Sequence, residues 1–152
     1  MVARRSKSEL EKMRVAGSIV AQVLDALEPE VMPGVTTLSL DALAETIIRD
    51  AGAVLSFKGY HGYPATICAS INEEIVHGIP GERRIEEGDI ISIDVGAIWQ
   101  GYHGDAAITV SVGDPSDEIR RLMLATRSAL TAGIKAVRAG ARMGDVSHAI
   151  ES

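Results

Sequence analysis

A chain of 152 residues, 46% hydrophobic and with a formal charge of −6, has the size of one ordinary domain and enough apolar material for a core. With no extended basic stripe, nucleic acid is not an expected partner. No run approaches the ~18 apolar residues of a membrane span, and Met1 to Lys12 is too polar for a secretory leader.

The elements follow in chain order. Arg4-Arg5-Ser6-Lys7 reads as a solvated basic tail. Ser8 with Glu11 has the form of a capping box. Leu10, Met13, Ile19, Val20, Val23, Leu24 and Leu27 continue at helical spacing, and Pro29, Pro33 and Gly34 break the pattern. Thr37 or Ser39 caps a second predicted helix, which runs to about Asp50 and is ended by Gly52. Short strands are predicted over Val54–Tyr60, Ala65–Ile71 and Glu74–His77, separated by Gly, Pro and Asn turns. Gly81 to Gly88 is a polar connector. A hairpin over Asp89–Val112 turns near Gln100-Gly101 and stops at Gly113-Asp114-Pro115. Ser116 caps a third helix to about Arg138, Gly140 ends it, and a fourth begins near Asp145.

The order helix, helix, strands, helix, helix reads as a repeat, with a first half over 8–113 and the opening of a second over 114–152. A short partial helix is marginal by itself, and a sheet built for a partner exposes an edge. The expectation is therefore a missing half, supplied by the same chain or by another.

The chemistry gathers in the middle. All five aromatic residues, Phe57, Tyr60, Tyr63, Trp99 and Tyr102, lie there, with His61, His77 and His103 and the single cysteine, Cys68. That clustering predicts a pocket. A lone cysteine leaves no internal disulfide and suits a reducing cytoplasm. Asp94 sits in the apolar run Ile90–Ile98, where an unpaired carboxylate is costly to bury. The hairpin brings it nearly opposite Asp105, and like charges facing across strands repel. A divalent cation between them resolves both problems, and paired carboxylates bridging two such ions are a device for activating water. His77, in Val76-His77-Gly78-Ile79-Pro80, is a pocket donor or general acid, or else a turn histidine. Gly78 lets backbone approach closely. His103 shares parity with Asp105, and its expected role is packing or hydrogen bonding. His148 is read as structural or exposed. Tyr60, Tyr63 and Cys68 line an apolar pocket or pack the core. The apolar neighbours of Cys68 argue against a nucleophile. No G-x-S-x-G elbow or P-loop occurs.

The runs Gly59-Tyr-His-Gly-Tyr-Pro64, Ser70-Ile-Asn-Glu73, His77-Gly-Ile-Pro80, Asp89-x4-Asp94 and Gly101-Tyr-His-Gly-Asp105, in this order, closely resemble type I methionine aminopeptidases. The resemblance covers essentially the whole chain. It implies an α/β (α+β) pita-bread fold of two pseudo-symmetric halves, of which this chain holds the first and the opening helices of the second. It implies removal of the initiator methionine from nascent proteins with a small second residue, in the cytoplasm, with the ribosome as a further partner. The chain's own Met1-Val2 start would be a fair substrate. Asp94 and Asp105 match two metal ligands for a pair of divalent ions, variously Co, Mn, Fe or Zn. His77 matches the substrate-contacting histidine that stabilises the transition state, and Tyr60, Tyr63 and Cys68 match the methionine pocket. The family's other ligands, a histidine and two glutamates, have no counterpart before Ser152, nor do its second substrate-contacting histidine and its general-base glutamate. An inactive or nearly inactive chain is therefore expected. Two other readings use the same fold: an aminopeptidase P or prolidase relative, and a binding protein with an incomplete metal site.

Overall fold

A computed structural model describes residues 4–152, so the Met1-Val2 start lies outside the described residues. The chain forms two compact units, Met1–Asp114 and Pro115–Ser152.

In the first unit, helix α1 spans Lys7–Leu27 and α2 spans Thr37–Asp50, with a short 3-10 turn over Glu28–Glu30 between them. Both caps lie slightly upstream of the predicted ones. The capping box of α1 is Ser6 with Glu9, not Ser8 with Glu11. Thr36, not Thr37 or Ser39, caps α2 by accepting from the Ser39 amide at 3.1 Å. The basic tail is not wholly free: Arg5 reaches Glu9 and lies over the Tyr102 ring.

Four antiparallel strands follow: β1 (Val54–Leu55), β2 (Ile67–Ile71), β3 (Ile90–Trp99) and β4 (Tyr102–Ser111). β3 is central. It pairs with β4 on one side and with both β2 and β1 on the other. The predicted hairpin is present, and its turn residues Gln100 and Gly101 both have positive φ (49° and 82°), as a two-residue type I′ turn requires. Two strand expectations were wrong. The first strand stops at Leu55, and Tyr60–Gly62 is a 3-10 turn. Glu74–His77 is not a strand, and His77 itself has φ 61°.

Alternation sorts the sheet into two faces. Ile91, Ile93, Val95 and Ala97 of β3 are fully buried and join Val20, Val23, Leu27, Leu40, Ala44 and Ile48 of the helices in one core. Gly104 of β4 has the same orientation, and a Cβ there would strike the backbone of Ala16 and Gly17. α1 can cross β4 that closely because Gly104 has no side chain. Ser92, Asp94 and Gly96 point to the opposite face, with His103, Asp105 and Thr109 of β4.

The second unit contains α3 (Asp117–Ala136), capped by Ser116 as predicted, and α4 (Met143–Glu151), which starts two residues before Asp145. Gly133 is the only buried residue of these two helices, and Ile150 and Val146 fill the space beside it. Among the described residues, no helix is long and apolar enough to cross a membrane.

Candidate active site

Asp94 and Asp105 come together through the register of β3 and β4, but as diagonal neighbours. Asp94 pairs with Ala107, and Asp105 pairs with Gly96. Diagonal positions are ~7–8 Å apart at Cα, so the carboxylates flank a common point instead of facing each other across one rung. Gly96 leaves room there. A Cβ on it would fall 2.8 Å from the Phe57 ring and 2.7 Å from Ser56 Cβ.

An open pocket of about 670 Å³ lies beside this pair. Every residue expected at the site lines it: Tyr60, Tyr63, Cys68, His77, Asp94 and Asp105. Phe57, His61 and Ile79 line it too; Phe57 and His61 belong to the cluster from which the pocket was expected, but none of the three was given a site role. The signal available for them was the aromatic-rich segment 57–63 and the apolar residue two after His77. His103 is not in the lining. Its Nδ1 lies 2.7 Å from Ser56 Oγ, in agreement with a hydrogen-bonding role. His148 is exposed on α4.

Helix α2 holds both ends of the pocket loop. Asp41, 7% exposed, accepts from the buried amides of Thr66 and Ile67 at 2.7 and 2.9 Å. One turn on, Glu45 accepts from Lys58 Nζ at 2.7 Å and pairs with Arg49. Lys58 is the main cause of its pKa falling to about 2. Lys58 precedes Tyr60, and Thr66 follows Tyr63, so the aromatic segment is fixed from each side. Beyond β2 the chain returns over it. Gly78 accepts from the Ala69 amide at 2.9 Å and donates to Ser70 Oγ at 3.0 Å. A Cβ on Gly78 would collide with the Ala69 carbonyl, so this approach requires glycine. It carries His77 to the pocket.

The electrostatics single out Asp94. The residue is half-buried, yet its Oδ1 is shut off from solvent and has no hydrogen-bond partner. Burial raises its pKa, the nearby Asp105 raises it further, and His77 draws it partly back. Burial likewise raises the Cys68 thiol, with Tyr63 opposing and Asp94 reinforcing the shift. A protonated, buried Cys68 is lining, not a nucleophile. Burial also raises Tyr63, whose phenol stays protonated.

An unpartnered buried carboxylate oxygen next to a second carboxylate is the donor chemistry a hard divalent cation needs. The fit is partial. Among the described residues, no group of three or more His, Cys, Asp or Glu side chains could hold a metal ion by itself.

Residues 11–152 match the model of metallopeptidase family M24. The chain belongs to that family. Within M24 it is 52% identical over 153 aligned residues to methionine aminopeptidase 1 of Mycobacterium tuberculosis, covering all of this chain and 58% of the relative. Its structure is similar to that of methionine aminopeptidase from Rickettsia prowazekii, with a TM-score of 0.95 at 39% identity over 99% of this chain and 60% of that one. A prolidase from Pyrococcus furiosus matches with a TM-score of 0.84 at 22% identity, a likeness of fold alone. These neighbours share the pita-bread fold expected from the resemblance. The M24 chain described here thus spans about three-fifths of the length of its methionine aminopeptidase relatives.

Proposed function

We propose that this chain contributes one part of the active site of a metal-dependent methionine aminopeptidase. The enzyme would remove the initiator methionine from nascent cytoplasmic proteins whose second residue is small, close to the ribosome. The observation that carries the reading is the orphaned, buried Asp94 Oδ1 beside Asp105 on the wall of an apolar pocket. The similarity to methionine aminopeptidases supports the substrate class.

The roles follow from position. Asp94 and Asp105 would hold the divalent ions, and a metal centre of this kind supplies Lewis acidity for peptide hydrolysis. Phe57, Tyr60, Tyr63 and Cys68 offer an unbranched thioether an apolar, polarisable wall. His77, on the pocket rim, would donate a hydrogen bond to the substrate carbonyl as charge builds on its oxygen. The stretch 114–152 is the opening of the second pseudo-symmetric half. Two carboxylates leave most of an ion's coordination sphere to water, so this chain alone should bind metal weakly and turn over little substrate.

Calorimetric titration of the metal-free chain with Mn2+ or Co2+ tests the metal reading. Weak saturable binding is expected, and it should be lost in Asp94→Asn. Equal binding by the variant would sink the assignment. Brisk hydrolysis of a methionine–alanine peptide by the 152-residue chain would overturn its incompleteness. Cleavage of X-Pro dipeptides in preference would favour the prolidase reading.

A further inference from the structure

The Tyr63 ring lines the pocket, and its hydroxyl, beside the Cys68 thiol, also reaches the backbone. It lies 2.9 Å from the Ile67 carbonyl and 3.1 Å from the Gly78 carbonyl. Both partners are acceptors only, so the phenol must be the donor and shares its one proton between them. The bond to Gly78 joins the residue after His77 to the start of β2.

His77 has few other restraints. From Glu73 through His77 every side chain is exposed, Ile75 at 88% and Val76 at 65%, and Ile79 on the far side is 62% exposed. Ahead of the histidine the segment is tied by the Ile71 amide, which donates to Glu74 at 2.8 Å, and by Arg83 beside Glu73 and Glu74, while His77 itself is not packed away from solvent. His77 also holds φ 61°, an uncommon conformation for a side chain with a Cβ, which persists when its surroundings impose it. Directly after it stand three hydrogen bonds at Gly78: from Ala69, to Ser70 and from Tyr63. Only the last comes from a pocket side chain.

We propose that Tyr63 is a positioning residue whose hydroxyl braces the His77-Gly78 segment against β2 and so holds the His77 imidazole beside the Asp94–Asp105 pair. The inference rests on the metal-peptidase reading for its functional meaning, though not for its geometry. Phenylalanine would serve equally well if Tyr63 were only an apolar wall. The raised phenol pKa supports a hydroxyl that remains a donor at any working pH.

The test compares wild type with Tyr63→Phe and with Tyr102→Phe, which removes a hydroxyl bond to Glu9 on another part of the unit. In the metal-free chain, exchange of the Ala69 and Gly78 amides should accelerate about five- to tenfold in Tyr63→Phe, the effect of losing one net hydrogen bond. The Ile93 and Val95 amides of β3 should keep their rates, and Tyr102→Phe should leave Ala69 and Gly78 unchanged. With Mn2+ added, paramagnetic broadening of the His77 ring should be lost in Tyr63→Phe while that of Asp94 persists. Unchanged Ala69 and Gly78 rates would overturn the proposal, as would acceleration shared equally with β3. Loosened amides with undiminished His77 broadening would overturn the positioning claim. Absence of Mn2+ broadening at Asp94 in wild type would instead sink the metal reading, and the amide rates alone would then decide the brace.

Discussion

Asp94 is a residue whose fold works against its own charge. Its pKa is raised, mainly by burial, above the ~3.9 of an ordinary aspartate. Between the unfolded and folded values the native state binds the extra proton, so stability falls as pH rises through that window. Above it the ionised carboxylate is a standing cost when no cation is present. Asp94→Asn should therefore melt higher than wild type at pH 7 in chelator. The gap should close below pH ~3, where both forms are neutral. Thermal melts across pH check this, and a variant less stable than wild type at pH 7 would refute it. The sequence alone made Asp94 legible, because a carboxylate inside Ile90–Ile98 breaks an apolar run. Asp41 was not legible. It looks like any acidic residue in a helix, and the amides it accepts from are 25 and 26 residues away.

At the scale of elements, that hidden carboxylate has the larger structural effect. Asp41→Ala would strand the amides of Thr66 and Ile67, both fully buried. At ~1–3 kcal/mol for each unpaired donor the loss should reach about 3 kcal/mol. Asp41→Asn keeps an acceptor and should lose markedly less. Urea denaturation of the two variants decides the matter, and equal losses would count against the hydrogen-bond account. The elements themselves were unevenly readable. The β3–β4 hairpin was clear because strand alternation flanked a Gln-Gly turn. The helix caps slipped by one to three residues where several Ser and Thr stand together, as at Ser6 and Ser8 or Thr36, Thr37 and Ser39. At α1 the Glu9 side chain selects between the candidates by reaching back to the Ser6 amide at 2.7 Å. Glu74–His77 misled because Ile75 and Val76 have high β-propensity, yet their exposure shows that no sheet face takes them up.

Across the whole molecule the two units differ in how much they bury. The first has a continuous core from both helices and all four strands, whereas α3 and α4 bury only Gly133. Leu122, Leu124, Leu130 and Ile134 of α3 are each at least 58% exposed. Local stability follows buried apolar contact. Amides of residues 117–151 should thus exchange orders of magnitude faster than those of Ile91, Ile93 and Val95, as mass-spectrometric hydrogen exchange would reveal. Comparable protection in both would show that α3 and α4 draw stability from something other than burial. The Asp94–Asp105 pair was readable at this scale because one hairpin delivers both residues. The remaining pocket wall depends on loops that meet β2 only in three dimensions.

The return of the chain over β2 at Gly78 has one more consequence. β2 has β3 on one side only, and the other flank of a strand is a template for pairing with another molecule unless its backbone groups are engaged. The Ala69 amide, already engaged by Gly78, is unavailable to such a visitor. Gly78→Val, which cannot make that approach, should free the Ala69 amide between those of Ile67 and Ile71, which Asp41 and Glu74 hold, and should raise self-association with concentration, visible by light scattering. The turn that delivers His77 thus also covers the middle of that flank.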